Sequence, residues 1–124
     1  MKFTLPYPIS TNRVWRIGQG RNHKNPKVAA YREQAGWIAK AAGAKVLQGA
    51  VKVSMWLHPK LTKKGLASET RIDIDNAIKG VFDALNGICW VDDKQVVSLS
   101  IVISAPVDGG GITVAVEKMN ENKP

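Results

Sequence analysis

Residues 71–87, RIDIDNAIKGVFDALNG, decide the fold and carry the most informative side chains of the chain. Two Asp residues two positions apart precede an apolar pattern of helical spacing, which Asn86-Gly87 ends. Residues 90–96, WVDDKQV, then bring a second acidic pair to the start of a strand. The order of acid pair, short helix, acid pair and strand predicts an α/β unit with carboxylates at its turns.

Periodicity on either side of this stretch predicts the other elements. Asn25-Pro26 is a helix start, with Asn as N-cap and Pro at the first helical position. The resulting order β-α-β-α-β-β predicts an α+β (mixed α/β) fold, one domain over residues 1–124 with helices packed on a mixed sheet. The predicted elements are a strand at 2–5, a helix from 26 to about 46, a strand at 51–57, a short helix after Asp75, and strands at 96–104 and 112–117 joined by a hairpin-type connection.

Length and composition limit the class of protein. A chain of 124 residues with 44% hydrophobic content can build one ordinary core. No apolar run approaches the roughly 20 residues that span a bilayer, and the start lacks the apolar stretch of a signal peptide. The single Cys89 cannot form an internal disulfide, which suits a reducing compartment. We therefore expect a cytoplasmic protein without a membrane partner.

Charge is distributed unevenly along the chain. Residues 1–68 contain thirteen Lys or Arg and one acid, whereas residues 69–124 contain five Lys or Arg and nine acids. A basic half attracts polyanions, which favours nucleic-acid binding over the alternative of charge kept for solubility. Tyr7 and Trp15 lie among basic residues and are candidates to stack on bases or wedge at a branch point, with packing in the core as the alternative for each. The candidate DNA-binding residues are Arg13, Arg16, Arg21 and Lys24 in a loop at 9–25, Lys60, Lys63 and Lys64 in a loop at 59–70 expected to be mobile, and Arg71.

The first acidic pair, Asp73 and Asp75, is the strongest candidate for a metal site. On an extended backbone, residues two apart point to the same side, and like charges held together repel unless a cation compensates them. Carboxylate oxygens suit Mg²⁺, with Mn²⁺ as a substitute, because Mg²⁺ binds one or two carboxylates plus waters and phosphates. Capping of the following helix is an alternative role for Asp75, but it leaves Asp73 unexplained.

Lys79 lies four residues after Asp75 and so shares its helix face. There it can neutralise charge that develops on a phosphate or orient the attacking water. The alternative is an ordinary surface ion pair worth about 0.3–0.5 kcal/mol. Asp83, one turn further on, ranks as a helix-surface acid.

The second acidic pair, Asp92-Asp93, gains weight from its position after the helix. Adjacent acids are common in turns, and taken alone this pair indicates turn chemistry. We expect the helix and turn to bring the chain back near its start, so that three or four carboxylates converge. His23 and His58 lack metal-ligand spacing to Cys89, so a zinc site is not expected.

These residues resemble the RusA family of Holliday-junction resolvases. The resemblance lies in residues 71–87 and 90–96, and residues 5–16, LPYPISTNRVWR, are also similar to the family's opening. It implies a small homodimer that binds four-way junction DNA and, with Mg²⁺, cuts two opposed strands symmetrically.

The resemblance also implies roles for individual residues. The family's acidic triad corresponds to Asp73, Asp75 and the second acidic pair, in which Asp93 is the better match. Its important lysine corresponds to Lys79. The connection before Trp90 is about one residue shorter than in the type member, so Asp92 stays an alternative metal ligand.

Two other functions compete with the junction resolvase. One is a different branched-DNA nuclease that uses the same site. The other is a non-catalytic DNA-binding module whose acids bind metal structurally. The set of Asp73, Asp75, Lys79 and Asp93 argues against the module, because a pure binder gains nothing by placing carboxylates near phosphates.

Overall fold

The computed structural model describes residues 1–10 and 26–119. It confirms the predicted class, with two helices and a four-stranded mixed sheet in the predicted order. Neither helix of the described ranges has the length and apolar character that crossing a membrane requires. The elements are β1 (Lys2–Leu5), α1 (Pro26–Ala41), β2 (Val51–His58), α2 (Ile74–Leu85), a short 3₁₀ helix (Asp93–Gln95), β3 (Val96–Ile103) and β4 (Gly111–Lys118).

The strand order is β1-β4-β2-β3, and it corrects one prediction. β3 pairs with β2 in parallel, while β4 pairs antiparallel with both β1 and β2. The predicted hairpin between β3 and β4 is therefore wrong. A parallel pair needs a crossover, which α2 supplies, and β4 then fills the gap on the other side of β2. That central place suits β4, because Ile112, Val114 and Val116 are all buried.

One face of the sheet carries the core. Alternate residues of β2, from Val51 to Leu57, are buried, as the predicted period of two requires. Both helices contribute to the same buried cluster, which makes a two-layer domain. Tyr31 of α1 is buried with its hydroxyl donating to the Pro6 carbonyl at 2.7 Å, and burial raises the pKa of the Tyr31 phenol well above its usual value.

Helix α1 begins at Pro26 as predicted, and its proposed N-cap, Asn25, lies outside the described residues. It ends at Ala41, about five residues earlier than expected. Gly43 adopts a φ of 92°, its amide donates to the Lys40 carbonyl, and the Ala44 amide donates to Ala39. This pair of bonds around a left-handed glycine is a Schellman turn, which ends the helix.

Strand β3 forms one edge of the sheet, and its apolar side is incompletely covered. In the register with β2, Leu99 lies beside Val53 and Ile103 lies beside Leu57, so both point to the core face. Val53 and Leu57 are fully buried, yet Leu99 is 40% exposed and Ile103 is 42% exposed. The apolar face of the sheet therefore extends beyond the part that the helices cover.

Candidate active site

The first acidic pair lies at the N-terminal end of α2. Asp73 is the N-cap residue, with extended backbone and no side-chain capping bond, and Asp75 lies in the first turn. The prediction that the helix starts after Asp75 is thus corrected, since the helix begins at Ile74. Both carboxylates are exposed, and neither accepts a hydrogen bond within the described part of the chain. The positive end of the helix dipole stabilises these two negative charges.

Lys79 is exposed one turn after Asp75 on α2. No ion pair joins Lys79 to Asp75 in the described ranges, although the spacing allows one. The ammonium group therefore stays available to an external anion beside the two carboxylates. Asp83 is exposed on the same helix, as the sequence predicted.

Tyr7 fixes the backbone that leads into this acidic pair. Its hydroxyl accepts a hydrogen bond of 2.8 Å from the amide of Ile72, the residue directly before Asp73. The Lys60 ammonium lies 5.1 Å from the centroid of the Tyr7 ring. Tyr7 is half-buried, so the structure gives this candidate base-stacking residue a positioning role, and Trp15 lies outside the described residues.

The basic segment at 59–70 follows β2 and approaches the same end of α2. The Thr62 amide donates to the Leu66 carbonyl at 2.7 Å, and the Ser68 amide donates to the Lys60 carbonyl at 2.8 Å. These bonds form a compact turn that presents exposed lysines; the predicted mobility of the segment stays a prediction. The exposed candidates here are Lys60, Lys63, Lys64 and Arg71, whereas Arg13, Arg16, Arg21 and Lys24 lie outside the described residues.

Asp92, in the second acidic pair, has a structural role. Its carboxylate accepts a 2.8 Å hydrogen bond from the Lys94 amide, and the Gln95 side chain accepts a 2.9 Å bond from the Asp92 amide. This reciprocal pair is a capping box for the 3₁₀ helix. Gln95 also donates to the carbonyls of Leu47 and Gly49, which fixes the turn on the domain.

Asp93 is held differently. Its Oδ1 accepts two hydrogen bonds, one of 2.8 Å from the Trp90 indole and one of 3.0 Å from the Asn86 side chain. Trp90 is fully buried and contacts Phe82 edge-on, with ring centroids 5.4 Å apart. The carboxylate is therefore oriented by a rigid neighbour, and its Oδ2 accepts no hydrogen bond in the described residues.

The two acidic pairs lie at opposite ends of α2. Asp73 and Asn86 are the two caps of a 12-residue helix. With a rise of 1.5 Å per residue, they are about 20 Å apart along its axis. Because Asp93 is bonded to Asn86, the expected return of the chain to the start of α2 does not occur. Accordingly, the described residues contain no group of three or more His, Cys, Asp or Glu side chains placed to hold one metal ion.

Cys89 and His58 have structural roles. Cys89 is fully buried, and burial raises the pKa of its thiol to about 11. His58 uses both ring nitrogens, one with the Ala105 carbonyl and one with the Thr113 hydroxyl, each at 2.9 Å. Both side chains therefore hold the fold together.

Comparison with known proteins identifies the family. The family model described as "Endodeoxyribonuclease RusA" matches residues 6–117. The chain belongs to the RusA family. Relatives named "Crossover junction endodeoxyribonuclease RusA" occur in Escherichia coli strain K12 and Shigella sonnei strain Ss046; each is 34% identical over 118 residues, which are 94% of this chain and 92% of the relative. The protein of that name from Enterobacteria phage 82 is 33% identical over the same shares.

Membership in the RusA family confirms the resemblance drawn from the acidic segments, and it makes this chain an endodeoxyribonuclease by family. The metal-ligand and DNA-binding roles of individual residues stay predictions. Sequence reasoning missed the residues that orient the acids. Trp90 precedes Asp93 by three residues, a spacing at which a turn can bring the two side chains together. Tyr7 and Ile72 are 65 positions apart, so no local pattern in the sequence predicts their hydrogen bond.

Proposed function

We propose that this RusA-family protein is a Mg²⁺-dependent nuclease that resolves Holliday junctions by paired, symmetric cleavage. The observation that carries the proposal is the arrangement at the N-terminal end of α2. Two exposed carboxylates that have no partner among the described residues lie there beside a lysine and a basic segment. The relatives' name, crossover junction endodeoxyribonuclease, supports junction DNA as the substrate. The free Cys89 supports action in the cytoplasm.

Asp73 and Asp75 fit a hard divalent cation. They offer carboxylate oxygens at an exposed helix end, and Mg²⁺ takes one or two carboxylates together with waters and substrate phosphates. When bound, such a cation supplies an activated water and stabilises negative charge on phosphate oxygens. Mn²⁺ accepts the same ligands and serves as a probe.

The protein's own groups have separate tasks at the phosphate. Lys79 supplies a fixed positive charge close to the two carboxylates, where charge develops on the reacting phosphate. The amides at the start of α2 favour an anion in the same place. Lys60 lies next to this end through its contact with Tyr7, so it and its neighbouring lysines bind the flanking backbone.

Paired cleavage requires two copies of this machinery. One chain carries a single Asp73, Asp75 and Lys79, while a four-way junction has two equivalent strands to cut. A homodimer with two-fold symmetry matches that substrate. The basic residues at 60–71, together with Arg13, Arg16, Arg21 and Lys24, then form the DNA surface of each half.

The test is cleavage of a synthetic four-way junction and of a linear duplex of the same sequence with Mg²⁺. Wild type should cut the junction in paired nicks and leave the duplex intact. Asp73→Asn should bind the junction without cutting it, and Asp83→Asn, an exposed acid on the same helix, should stay active. Cleavage of flaps as fast as junctions would instead identify a general branched-DNA nuclease, and an active Asp73→Asn would refute the site.

A further inference from the structure

We propose that the turn at 107–110, just before β4, positions the metal-binding Asp73 through the side chain of Tyr7. Tyr7 is then a positioning residue for cleavage, and Gly110 acts on the site from a distant part of the chain. The inference rests on the proposed function, because it takes Asp73 as a metal ligand. It goes further by assigning the accuracy of that site to a contact between a tyrosine ring and a glycine backbone.

The carboxylate of Asp73 takes its direction from the backbone. Asp73 has no side-chain capping bond, and its carboxylate accepts no hydrogen bond in the described residues. By contrast, the Trp90 indole holds the Asp93 carboxylate directly. The Asp73 carbonyl accepts a 3.0 Å hydrogen bond from the Ala77 amide, which fixes its backbone on the helical side. A second constraint on the direction of Asp73 has to act through the residues before it.

Tyr7 supplies that second constraint through the amide of Ile72. The Tyr7 hydroxyl accepts the 2.8 Å hydrogen bond from this amide across 65 positions of the sequence. The Arg71 side chain, by comparison, donates to the Ile72 carbonyl, which is a contact between neighbours. The bond from Tyr7 therefore ties the residue before Asp73 to the body of the domain. Asp73 is held from both sides, and a shift of the Tyr7 ring moves one of the two fixed points.

Three segments meet around the Tyr7 ring at one end of the sheet. β1, β4 and β2 lie side by side, and the last residues of β1 and β2 are in register with the first two residues of β4. Tyr7 follows β1, Lys60 follows β2, and Gly110 directly precedes β4. The Val107 carbonyl joins two of these segments, because it accepts from the Leu61 amide at 3.1 Å and from the Gly110 amide at 2.9 Å. The surroundings of the ring are thus fixed by backbone hydrogen bonds.

Gly110 lies against the Tyr7 ring and has no room for a side chain. A Cβ atom on Gly110 would lie 2.5 Å from Cδ1 of Tyr7 and 3.0 Å from Cγ of Lys60. Non-bonded carbon atoms stay about 3.5–4.0 Å apart, so a methyl group here would push the ring away. The Lys60 ammonium, 5.1 Å from the ring centroid, adds a cation–π contact. The position of the Tyr7 hydroxyl therefore depends on the absence of a side chain at Gly110.

The neighbouring Gly109 provides a matched control. Gly109 and Gly110 adopt φ angles of 78° and 75°, so alanine is strained to a similar degree at both positions. A Cβ atom on Gly109 meets no atom of the described residues within 4 Å, whereas one on Gly110 meets the Tyr7 ring. A difference between Gly109→Ala and Gly110→Ala therefore reports the contact with Tyr7 and not the backbone strain.

Hydrogen exchange of the Ile72 amide in the full-length protein is the first measurement. Tyr7→Phe keeps the ring but removes the acceptor, so exchange of this amide should become about 5- to 10-fold faster. Gly110→Ala should have the same effect, because it displaces the ring. Gly109→Ala should leave the exchange near the wild-type rate. Equal protection of the Ile72 amide in the two alanine variants would refute the role of Gly110.

Single-turnover cleavage of a synthetic four-way junction with Mg²⁺ is the second measurement. Tyr7→Phe and Gly110→Ala should cleave about 10- to 100-fold more slowly, the usual cost of losing a group that supports a metal ligand. Their affinity for the junction should not change, and Gly109→Ala should cleave at the wild-type rate. Rates are taken at saturating protein and well below the unfolding temperature of each variant, where a loss of stability alone leaves the rate unchanged.

A double variant tests whether Gly110 acts through Tyr7. Tyr7→Phe/Gly110→Ala should cleave no more slowly than the slower single variant, because both changes break the same hydrogen bond. Losses that multiply would mean that Gly110 acts by another route, which would overturn the inference.

Asp73→Asn separates this inference from the proposed function. If Asp73→Asn is inactive while Tyr7→Phe and Gly110→Ala cleave as wild type does, the metal site stands and the positioning role is refuted. If Asp73→Asn cuts the junction, the proposed site itself is wrong and the inference falls with it.

Discussion

The two ends of α2 carry the same residue type in opposite situations. At the N-terminal end, Asp73 and Asp75 are exposed, their carboxylates accept no hydrogen bond in the described residues, and basic residues lie nearby. At the C-terminal end, Asp92 and Asp93 are both engaged by protein donors. The first end has carboxylates ready for a ligand, whereas the second has carboxylates whose orientation is already fixed.

Within the second end, two adjacent residues differ again. Asp92 uses its carboxylate to cap the 3₁₀ helix, so its loss removes a local structural bond. Asp93 is aligned by the buried Trp90, and its Oδ2 accepts no hydrogen bond in the described residues. Hydrogen-bond partners, more than acidity or position in a turn, therefore separate the capping role of Asp92 from the predicted metal-binding role of Asp93. The following substitutions probe that distinction from the largest expected effect to the smallest.

Lys79→Ala tests the charge beside the free carboxylates. We expect single-turnover cleavage of a junction to slow about 100- to 1,000-fold, the usual cost of removing one group that stabilises transition-state charge. Mn²⁺ affinity should change little, because Lys79 is not a ligand. Lys94→Ala, at the other end of the helix, is the control and should cleave at the wild-type rate. A Lys79→Ala protein as fast as wild type would assign Lys79 to the surface.

Trp90→Phe tests the orientation of Asp93. Phe keeps most of the buried ring but removes the indole donor, so Mn²⁺ affinity should fall about 10- to 100-fold, as is typical when a partner of a metal ligand is lost. Electron paramagnetic resonance titration of Mn²⁺ measures this change. The exposed Trp37→Phe should have no effect. Unchanged affinity in Trp90→Phe, with the fold intact, would mean that the indole bond does not prepare a ligand.

Asp92→Ala tests the cap. Loss of a capping carboxylate should lower the free energy of unfolding by about 1 kcal/mol while Mn²⁺ binding and cleavage persist. Urea denaturation measures the stability. A variant of normal stability that no longer binds Mn²⁺ would exchange the roles of Asp92 and Asp93.

The titration of the buried Cys89 thiol tests whether the turn between Asn86 and Trp90 stays closed to solvent. Burial raises the pKa of the folded thiol from 9.0 to about 11, so folding favours the protonated form. The contribution of this thiol to stability should be complete below pH 9 and disappear as the pH rises toward 11. Wild type should therefore lose more stability than Cys89→Ala over that range. Equal losses would indicate that the native thiol is accessible to solvent.

The sequence predicted the elements better than their arrangement. Local periodicity identified both helices and all four strands, because burial of one face imposes its spacing on the residues. Strand order depends on pairing between distant residues, so the partner of β4 was misassigned. The end of α1 was missed because Gly43 interrupts an apolar stripe that continues beyond it.

In the candidate site, too, local features were predictable from the sequence and contacts between distant residues were not. The acids and Lys79 stand out in the sequence because their spacing is local. The distance between the two acidic pairs does not stand out in the sequence. It depends on the length of α2 and on the burial of Trp90, which keeps the turn with Asp93 at the far end of the helix. The bond between Tyr7 and Ile72 joins distant parts of the chain, and only the folded structure reveals it.

The most direct test of the account is the Mn²⁺ affinity of the Asp73→Asn and Asp75→Asn variants, with Asp83→Asn, an exposed acid on the same helix, as the control. If the N-terminal end of α2 holds the metal ion, both substitutions should weaken binding severely and Asp83→Asn should leave it near the wild-type value. An Asp73→Asn protein that binds Mn²⁺ as tightly as wild type would contradict the account.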